Sequence, residues 1–365
     1  MKKKFLFRLS AIAMSLILVA CGGSTSEDVV ENETTAIESE ESLNVVVTTP
    51  MLGEFVKQVA GDSVVLDILM PAEADPHTYD PSPQDAAKIA DADIVLYVGI
   101  KYETSSLLKL IENTASTNAT LLEIGEEIDP IEFKDGEHDH GNHDDHDEEG
   151  HDDEDGHDDH DEEGHDDEDG HDDHDEEGHE GHEGHDHGSE DPHFWFDPVR
   201  VAMAVEVIKD SLVSLDPANT STYEANADNF ISELTDLDAQ VKALIESVSE
   251  DNRKIVTTHE ALGYLEARYG IEVFATIIPS LSTADEISPS QIADVIDVIE
   301  DNNIKVLFVE SEAPSVYAET VAAEAGITAV TGLYVETLKD GQTYSDFLIS
   351  NVTLIVESLN SAGEG

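Results

Sequence analysis

The sequence contains a single cysteine, Cys21, among its 365 residues. No internal disulfide can form, and no cysteine pair is present for a zinc or redox motif, which excludes thiol–disulfide chemistry. Basic residues are also scarce, because 17 Lys and Arg stand against 84 Asp and Glu, for a formal net charge of −67. Such a chain repels phosphate polyanions and anionic membrane surfaces, so we expect no nucleic-acid partner. A field of this sign attracts cations.

The N-terminus has the pattern of a secretion signal. A positively charged start precedes an apolar run that is too short to span a hydrocarbon core of about 30 Å. The run ends in LVACG (residues 18–22), which resembles a bacterial lipobox, although an ordinary signal peptide containing a cysteine is the alternative. We expect residues 1–20 to be a lipoprotein signal peptide, Cys21 to be lipidated, and residues 21–42 to be a disordered polar tether. The protein would then lie at the extracytoplasmic face of the cytoplasmic membrane, attached through its lipid anchor only.

The rest of the chain predicts an α/β fold with two lobes. Short β-branched runs alternate with helical segments, which indicates parallel sheets flanked by helices in each lobe. Apolar residues at helical spacing over 220–248 predict one long rigid helix of about 43 Å that joins the lobes. We place the N-terminal lobe at 43–215, the linking helix at 216–250 and the C-terminal lobe at 251–365. The predicted strands are 43–49, 64–69, 94–98, 254–258, 272–277, 306–309 and 328–331; the predicted helices are 50–60, 81–90, 103–117, 198–215, 220–248, 261–269, 290–302, 314–325 and 344–360.

An insertion over residues 135–190 interrupts the first lobe. Residues 138–187 contain fourteen histidines and twenty-seven acidic residues, with no Lys, Arg or large apolar side chain. The octapeptide HDDHDEEG begins at His143, His157 and His171. Nothing in this segment can be buried, so we expect a disordered His-rich loop. It is either a solvated acidic segment or a set of weak sites that capture Zn²⁺ beside the cleft.

Only three histidines lie outside the insertion, namely His77, His193 and His259. Each is close to a strand end or a loop, in a polar or Asp-Pro setting. In open α/β sheets, ligands bind in crevices outside the carboxyl ends of the strands. Three such histidines from two lobes could therefore converge on one cation in the interlobe cleft. Taken singly, each is more often a hydrogen-bonded structural residue.

Three stretches resemble the ligand motifs of the metal-binding proteins of zinc and manganese ABC importers. They are DPHTYDPSP (residues 75–83, followed by ADAD at 90–93), DPHFWFDP (191–198) and THEALGYL (258–265). The resemblance runs from about residue 43 to 360, without the insertion. It implies metal ligation by His77 and His193 from the N-terminal lobe and by His259 from the C-terminal lobe. Two lobes joined by a rigid helix, with metal between them, are also implied.

The fourth ligand of that family is usually an aspartate, whereas this chain has Glu336 in the matching stretch GLYVETL (332–338). Glu336 could ligate directly, act through water or stay outside the site. Three imidazoles favour Zn²⁺ over the harder Mn²⁺, although affinity order alone also admits Cu²⁺ or Ni²⁺. Glu310 and Glu312 follow a buried strand and are either partners for a histidine N–H or solvated loop acids. We expect Trp195 to pack around the site.

Three classes of function are compatible with these features. The leading hypothesis is a monomeric solute-binding protein that captures Zn²⁺ and delivers it to a cognate ABC permease and ATPase. The alternatives are a receptor for manganese or another divalent metal, and a metal-buffering surface adhesin based on the insertion. A zinc hydrolase would also use three histidines and a water, but the sequence has no HExxH helix and no obvious general base. We therefore predict that the protein is not an enzyme.

Overall fold

In a computed structural model, which describes residues 42–133, 190–312 and 316–363, each lobe contains a four-stranded parallel sheet. The strand order is β2-β1-β3-β4 in the N-terminal lobe and β6-β5-β7-β8 in the C-terminal lobe, so the two sheets share one topology. This confirms the predicted fold class. The strands are β1 Leu43–Val47, β2 Val64–Ile68, β3 Ile94–Tyr97, β4 Thr120–Glu123, β5 Lys254–Thr257, β6 Glu272–Thr276, β7 Val306–Glu310 and β8 Thr328–Leu333.

Helices cover both sheets. They are α1 Pro50–Ala60, α2 Pro83–Ala90, α3 Ser105–Thr114, α4 Pro198–Leu215, α5 Thr220–Glu246, α6 Gly263–Tyr269, α7 Pro289–Asp301, α8 Val316–Ala325 and α9 Tyr344–Gly363. The predicted elements are all present, with ends displaced by up to three residues. Strand β4 is an addition, because its four residues TLLE are partly exposed and have too little apolar character to be detected from sequence.

The central strands are apolar because both of their faces are covered. Val45, Val46 and Val47 of β1 are buried, and so is every residue of β7. Such continuous β-branched runs are typical of parallel strands between helix layers. The helices that follow β2 and β6 begin alike, with a serine capping box and proline in the first turn, at Ser82 for α2 and Ser288 for α7. The two lobes thus repeat one design.

The long helix α5 has 27 residues and measures about 40 Å along its axis. Its buried stripe packs against α1 and α4 of the first lobe and against α9 of the second. A single apolar cluster includes this stripe and core residues from both sheets, such as Val45 and Ile255. Close packing of this kind resists changes in the angle between the lobes. The buried stripe of α5 consists of Tyr223, Ala227, Phe230, Leu234, Leu237, Val241 and Ile245.

The residue boundaries assigned to the two lobes stay predictions.

The two ends of the insertion meet. Glu132 and Glu190 form an isolated antiparallel bridge, and the Asp191 N–H donates to the Ile131 carbonyl at 3.0 Å. The two described residues that flank the His-rich segment therefore lie side by side, and Glu190 is three residues before His193. The signal peptide, Cys21, the tether and the His-rich segment itself lie outside the described residues. No helix within the described ranges is long and apolar enough to cross a membrane.

Candidate metal centre

Four side chains predicted as ligands meet between the carboxyl ends of the two sheets. His77 lies in the loop between β2 and α2, and His193 precedes the short turn Phe194–Phe196. His259 follows β5 by two residues, and Glu336 follows β8 by three. One ligand atom from each of the four lies within 4.8 Å of every other. The structure thus brings together all four residues that the sequence singles out.

The arrangement centres on one carboxylate oxygen. Glu336 Oε1 is 3.4 Å from His77 Nε2, 3.4 Å from His193 Nε2 and 2.7 Å from His259 Nε2. The four side chains are almost completely buried. None of the three Nε2 atoms makes a hydrogen bond of good angular geometry within the described residues, and neither does either oxygen of Glu336. Buried polar atoms are nearly always paired, so this convergence of unpaired donor atoms fits a cation shared among them.

In the N-terminal lobe, an aspartate two residues earlier orients each histidine. The Asp75 carboxylate accepts from the His77 backbone N–H at 3.0 Å, and the Asp191 carboxylate accepts from the His193 N–H at 2.8 Å. Asp191 Oδ1 also lies 2.8 Å from His193 Nδ1, which leaves Nε2 free to face the cleft. The two Asp-Pro-His tripeptides therefore form the same local turn, as the proline in each suggests.

In the C-terminal lobe, Glu310 at the end of β7 orients His259. Its Oε1 accepts the backbone N–H groups of Thr258 and His259 at 3.1 and 3.0 Å, and its Oε2 is 2.5 Å from His259 Nδ1. Glu312 accepts the backbone N–H groups of the segment that carries Glu336. Glu310 is thus a partner for a histidine ring nitrogen, as one of the two interpretations predicted, whereas Glu312 bonds to backbone N–H groups instead. The interpretation of either residue as a solvated loop acid is wrong, because both carboxylates accept hydrogen bonds in the cleft.

Aromatic rings enclose the site. Trp195, whose side chain is fully buried, lies with its ring centroid 5.6 Å from that of His193, which confirms its predicted packing role. The ring of Tyr102 lies 5.1 Å from His77 and 5.8 Å from His193. Sequence analysis missed Tyr102, although its place after the carboxyl end of β3 is a signal of the same kind that identified the histidines.

Opposite charges inside the cluster shift the pKa values of its members. Burial lowers the pKa of His193, but the nearby carboxylates of Glu336 and Asp191 outweigh burial and raise it to about 9. The pKa of His259 is likewise raised well above its ordinary value, against the effect of burial, by Glu310 and Glu336. Burial raises the pKa of Glu336, yet the facing imidazoles hold it well below its usual range. The metal-free cluster therefore retains protons on imidazoles that a cation must displace.

Similarity to known proteins shows the class and the family to which this chain belongs. Residues 45–358 match the sequence profile described as ZnuA, zinc-uptake complex component A, periplasmic. The protein is a metal-binding substrate-binding protein of ABC transporters, and the chain belongs to the ZnuA family. Members of this family are solute-binding proteins rather than enzymes, which confirms the prediction that the chain is not an enzyme.

The names of similar proteins refer to different metals. The manganese-binding lipoprotein MntA of Halalkalibacterium halodurans is 25% identical over 98% of this chain and 99% of its own length. The zinc-binding lipoprotein AdcA of Streptococcus pneumoniae is 30% identical over 97% of this chain, which spans 61% of that relative. Among solved structures, the periplasmic zinc-binding protein TroA of Treponema pallidum superposes with a TM-score of 0.67 at 22% identity, over 86% of this chain and 98% of TroA. That likeness supports the fold.

Proposed function

We propose that this protein captures Zn²⁺ outside the cytoplasmic membrane and delivers it to an ABC permease with its ATPase. The observation that carries the proposal is the convergence of three buried imidazole nitrogens and one carboxylate oxygen, none of which makes a hydrogen bond of good geometry within the described residues. We assign His77, His193, His259 and Glu336 as the direct ligands of the transported ion. This donor set is one that zinc commonly takes in proteins.

The spacing of the ligand atoms supports zinc. Zn–N and Zn–O bonds of about 2.0–2.2 Å place neighbouring ligands of a tetrahedron roughly 3.3–3.5 Å apart. Glu336 Oε1 lies 3.4 Å from the Nε2 atoms of both His77 and His193. Its distance of 2.7 Å from His259 Nε2 is shorter, and a bound cation would have to lengthen it by about 0.6–0.8 Å to reach that spacing. Direct ligation by Glu336 is therefore favoured over action through a water, for which these separations leave little room.

Ligand chemistry distinguishes zinc from manganese. A site with three imidazole nitrogens and one carboxylate suits a borderline-soft ion, whereas Mn²⁺ prefers sites rich in oxygen. The likeness to AdcA agrees with this choice, while the likeness to MntA, at comparable coverage of this chain, makes manganese the second candidate. Because the names of relatives diverge, the proposal rests on the four donor atoms rather than on similarity.

The position of the site determines how the metal ion can enter and leave. Both lobes contribute ligands and all four are buried, so the ion can leave only when segments lining the cleft move apart. The lipid anchor at Cys21 would keep the protein beside its permease. The described residues that flank the His-rich segment, Glu132 and Glu190, are bridged three residues before His193, and weak sites in that segment would raise the local zinc concentration at the cleft. We therefore propose that the insertion captures metal for the buried site.

The test uses the fluorescence of Trp195, the only tryptophan in the chain, whose ring lies 5.6 Å from that of His193. Zn²⁺ and Mn²⁺ are titrated into the full mature chain against a competing chelator, so that the signal reports on the cleft and not on the insertion. We expect one tight Zn²⁺ site and weaker Mn²⁺ binding. His259→Ala should weaken zinc binding by more than the ~10–100-fold typical of residues that merely support a ligand.

The matched control is His171→Ala, which removes a histidine from the insertion and should leave the Trp195 titration unchanged. Tighter binding of Mn²⁺ than of Zn²⁺ would replace zinc by the second candidate. If His259→Ala and His171→Ala behave alike, the cleft is not the metal site. A variant lacking residues 138–187 should retain the tight zinc site. If that variant binds no zinc tightly, the insertion rather than the cleft is the functional metal site.

A further inference from the structure

The segment that carries Glu336 has no regular secondary structure, yet most of its backbone N–H and C=O groups are hydrogen-bonded. Residues 334–337 follow β8 and run irregularly before the chain continues towards α9. Buried backbone N–H and C=O groups need partners, and here side chains supply them. Asn351 on α9 accepts from the Tyr334 N–H at 3.0 Å and donates to the Tyr334 carbonyl at 2.6 Å. The first residue of the segment is thus fixed to the C-terminal lobe.

The next three residues are held by a single carboxylate oxygen. Glu312 Oε1 accepts the backbone N–H groups of Val335 at 3.1 Å, Glu336 at 3.2 Å and Thr337 at 3.3 Å. Successive N–H groups that converge in this way form a concave anion site in the backbone. The chain fills that site with its own carboxylate. Three hydrogen bonds to one side-chain oxygen restrain the backbone of the segment.

Aromatic side chains of the N-terminal lobe hold the same segment from the other side. Trp195 donates its indole N–H to the Val335 carbonyl at 2.7 Å, and the Tyr102 hydroxyl donates to the Glu336 carbonyl at 3.0 Å. The N–H groups of Val335, Glu336 and Thr337 therefore bond to the C-terminal lobe, whereas the carbonyls of Val335 and Glu336 bond to the N-terminal lobe. The Glu336 backbone is bonded at both its N–H and its carbonyl, which leaves its side chain a narrow range of positions.

We propose that Glu312 is a positioning residue of the metal site, which fixes the backbone of Glu336 and so directs its carboxylate at the three histidines. The proposal rests on the function proposed above, in which Glu336 is a ligand. Glu312 acts through Glu336, because its Oε1 is occupied by three N–H groups of the segment. Removing Glu312 leaves these groups without their acceptor and frees the segment to move.

A double-mutant cycle tests this role. Zinc affinity of the full chain is measured by Trp195 fluorescence against a chelator for wild type, Glu312→Ala, Glu336→Ala and the double variant. We expect Glu312→Ala to weaken zinc binding about 10–100-fold, as for residues that orient metal ligands. In the Glu336→Ala background, Glu312→Ala should weaken zinc binding by less than about threefold. The effects of two substitutions are not additive when one residue acts through the other.

Conservative variants separate positioning from general damage to the fold. Glu312→Gln retains an oxygen acceptor and should recover most of the affinity, whereas Glu312→Asp retracts the acceptor by one methylene and should weaken binding about tenfold. If Glu312→Ala does not fold, Glu312→Asp with and without Glu336→Ala decides the question. Unchanged affinity in the Glu312 variants, or an equal loss with and without Glu336, overturns the proposal.

The outcomes distinguish this inference from the proposed function. If wild type binds no zinc tightly in the cleft, or Glu336→Ala keeps wild-type affinity, the assigned ligand set fails and the positioning role fails with it. If wild type binds tightly, Glu336→Ala weakens binding and the Glu312 variants do not, the metal site stands and the role of Glu312 alone is wrong.

Discussion

The two lobes share one strand order but support their metal-facing side chains differently. In the N-terminal lobe, the aspartates that hold His77 and His193 lie two residues before them. In the C-terminal lobe, Glu310 is 51 residues from His259, and Glu312 is 24 residues from Glu336. Support is local in one lobe and comes from a neighbouring strand in the other. The C-terminal half of the site can therefore form only when β5, β7 and β8 have assembled, whereas the two Asp-Pro-His turns depend on short-range contacts.

The largest expected difference follows from removing one supporting carboxylate in each lobe. Glu310→Ala leaves three buried donors of Thr258 and His259 without an acceptor, and each such group costs about 1–3 kcal/mol. We expect roughly 3 kcal/mol or more of lost stability in the metal-free protein, measured by urea unfolding. Zinc affinity should fall by about 100-fold, the upper end of the range for supporting residues.

Asp191→Ala is the matched variant in the N-terminal lobe. It removes the acceptor of two donors, both on His193, so we expect a smaller stability loss of about 2 kcal/mol. The loss of zinc affinity should be about tenfold or more. Equal losses of stability for the two variants would show that local and long-range support are equivalent, contrary to the comparison.

A second prediction concerns pH, which acts on histidines of both lobes through Glu336. Because the pKa of His193 is raised from 6.5 to about 9 in the metal-free protein, zinc must displace a proton below that pH. Zinc affinity should rise with pH by up to about tenfold per unit for each proton displaced, and the contribution of the His193 proton should level off above pH about 9. Titration calorimetry in buffers of different ionisation enthalpy would measure the released protons.

The folding stability of the metal-free protein changes with pH in the opposite direction to zinc affinity. A raised histidine pKa stabilises the fold fully below pH 6.5, and that stabilisation is lost as the pH rises through about 9. The increase in melting temperature caused by zinc should therefore grow across this window. Glu336→Gln removes the facing charge and should move the window to lower pH. If the increase in melting temperature caused by zinc is the same at pH 6.5 and pH 9, the raised pKa of His193 is wrong.

The smallest expected effect tests the feature that the lobes have in common. Ser82 and Ser288 form equivalent capping boxes at α2 and α7, so Ser82→Ala and Ser288→Ala should each lower the free energy of unfolding by about 1 kcal/mol. Urea denaturation would give both values. Neither serine touches the cluster, and zinc affinity should be unchanged in both variants. A change in affinity in one variant alone would mean that its helix also determines the position of a ligand.

Sequence reasoning recovers the parts of the site whose causes are local. The three histidines stand out because the other fourteen are confined to one segment, and Asp-Pro-His signals a turn by itself. The pairing of Glu310 with His259 depends on strand register, and the contact of Glu312 with three N–H groups depends on an irregular loop. Neither is encoded in spacing along the chain. Strand β4 escapes detection for a related reason, since its place in the sheet depends on pairing with β3.

The bridge between Glu132 and Glu190 brings together the two described residues that flank the insertion. For a flexible connection, each doubling of length adds only about 0.6 kcal/mol of closure entropy. Copies of HDDHDEEG can therefore be added or deleted with almost no consequence for folding. The number of histidines in the insertion is in this way independent of the architecture that brings the four buried side chains together, and the repeats can change in number without rebuilding either lobe.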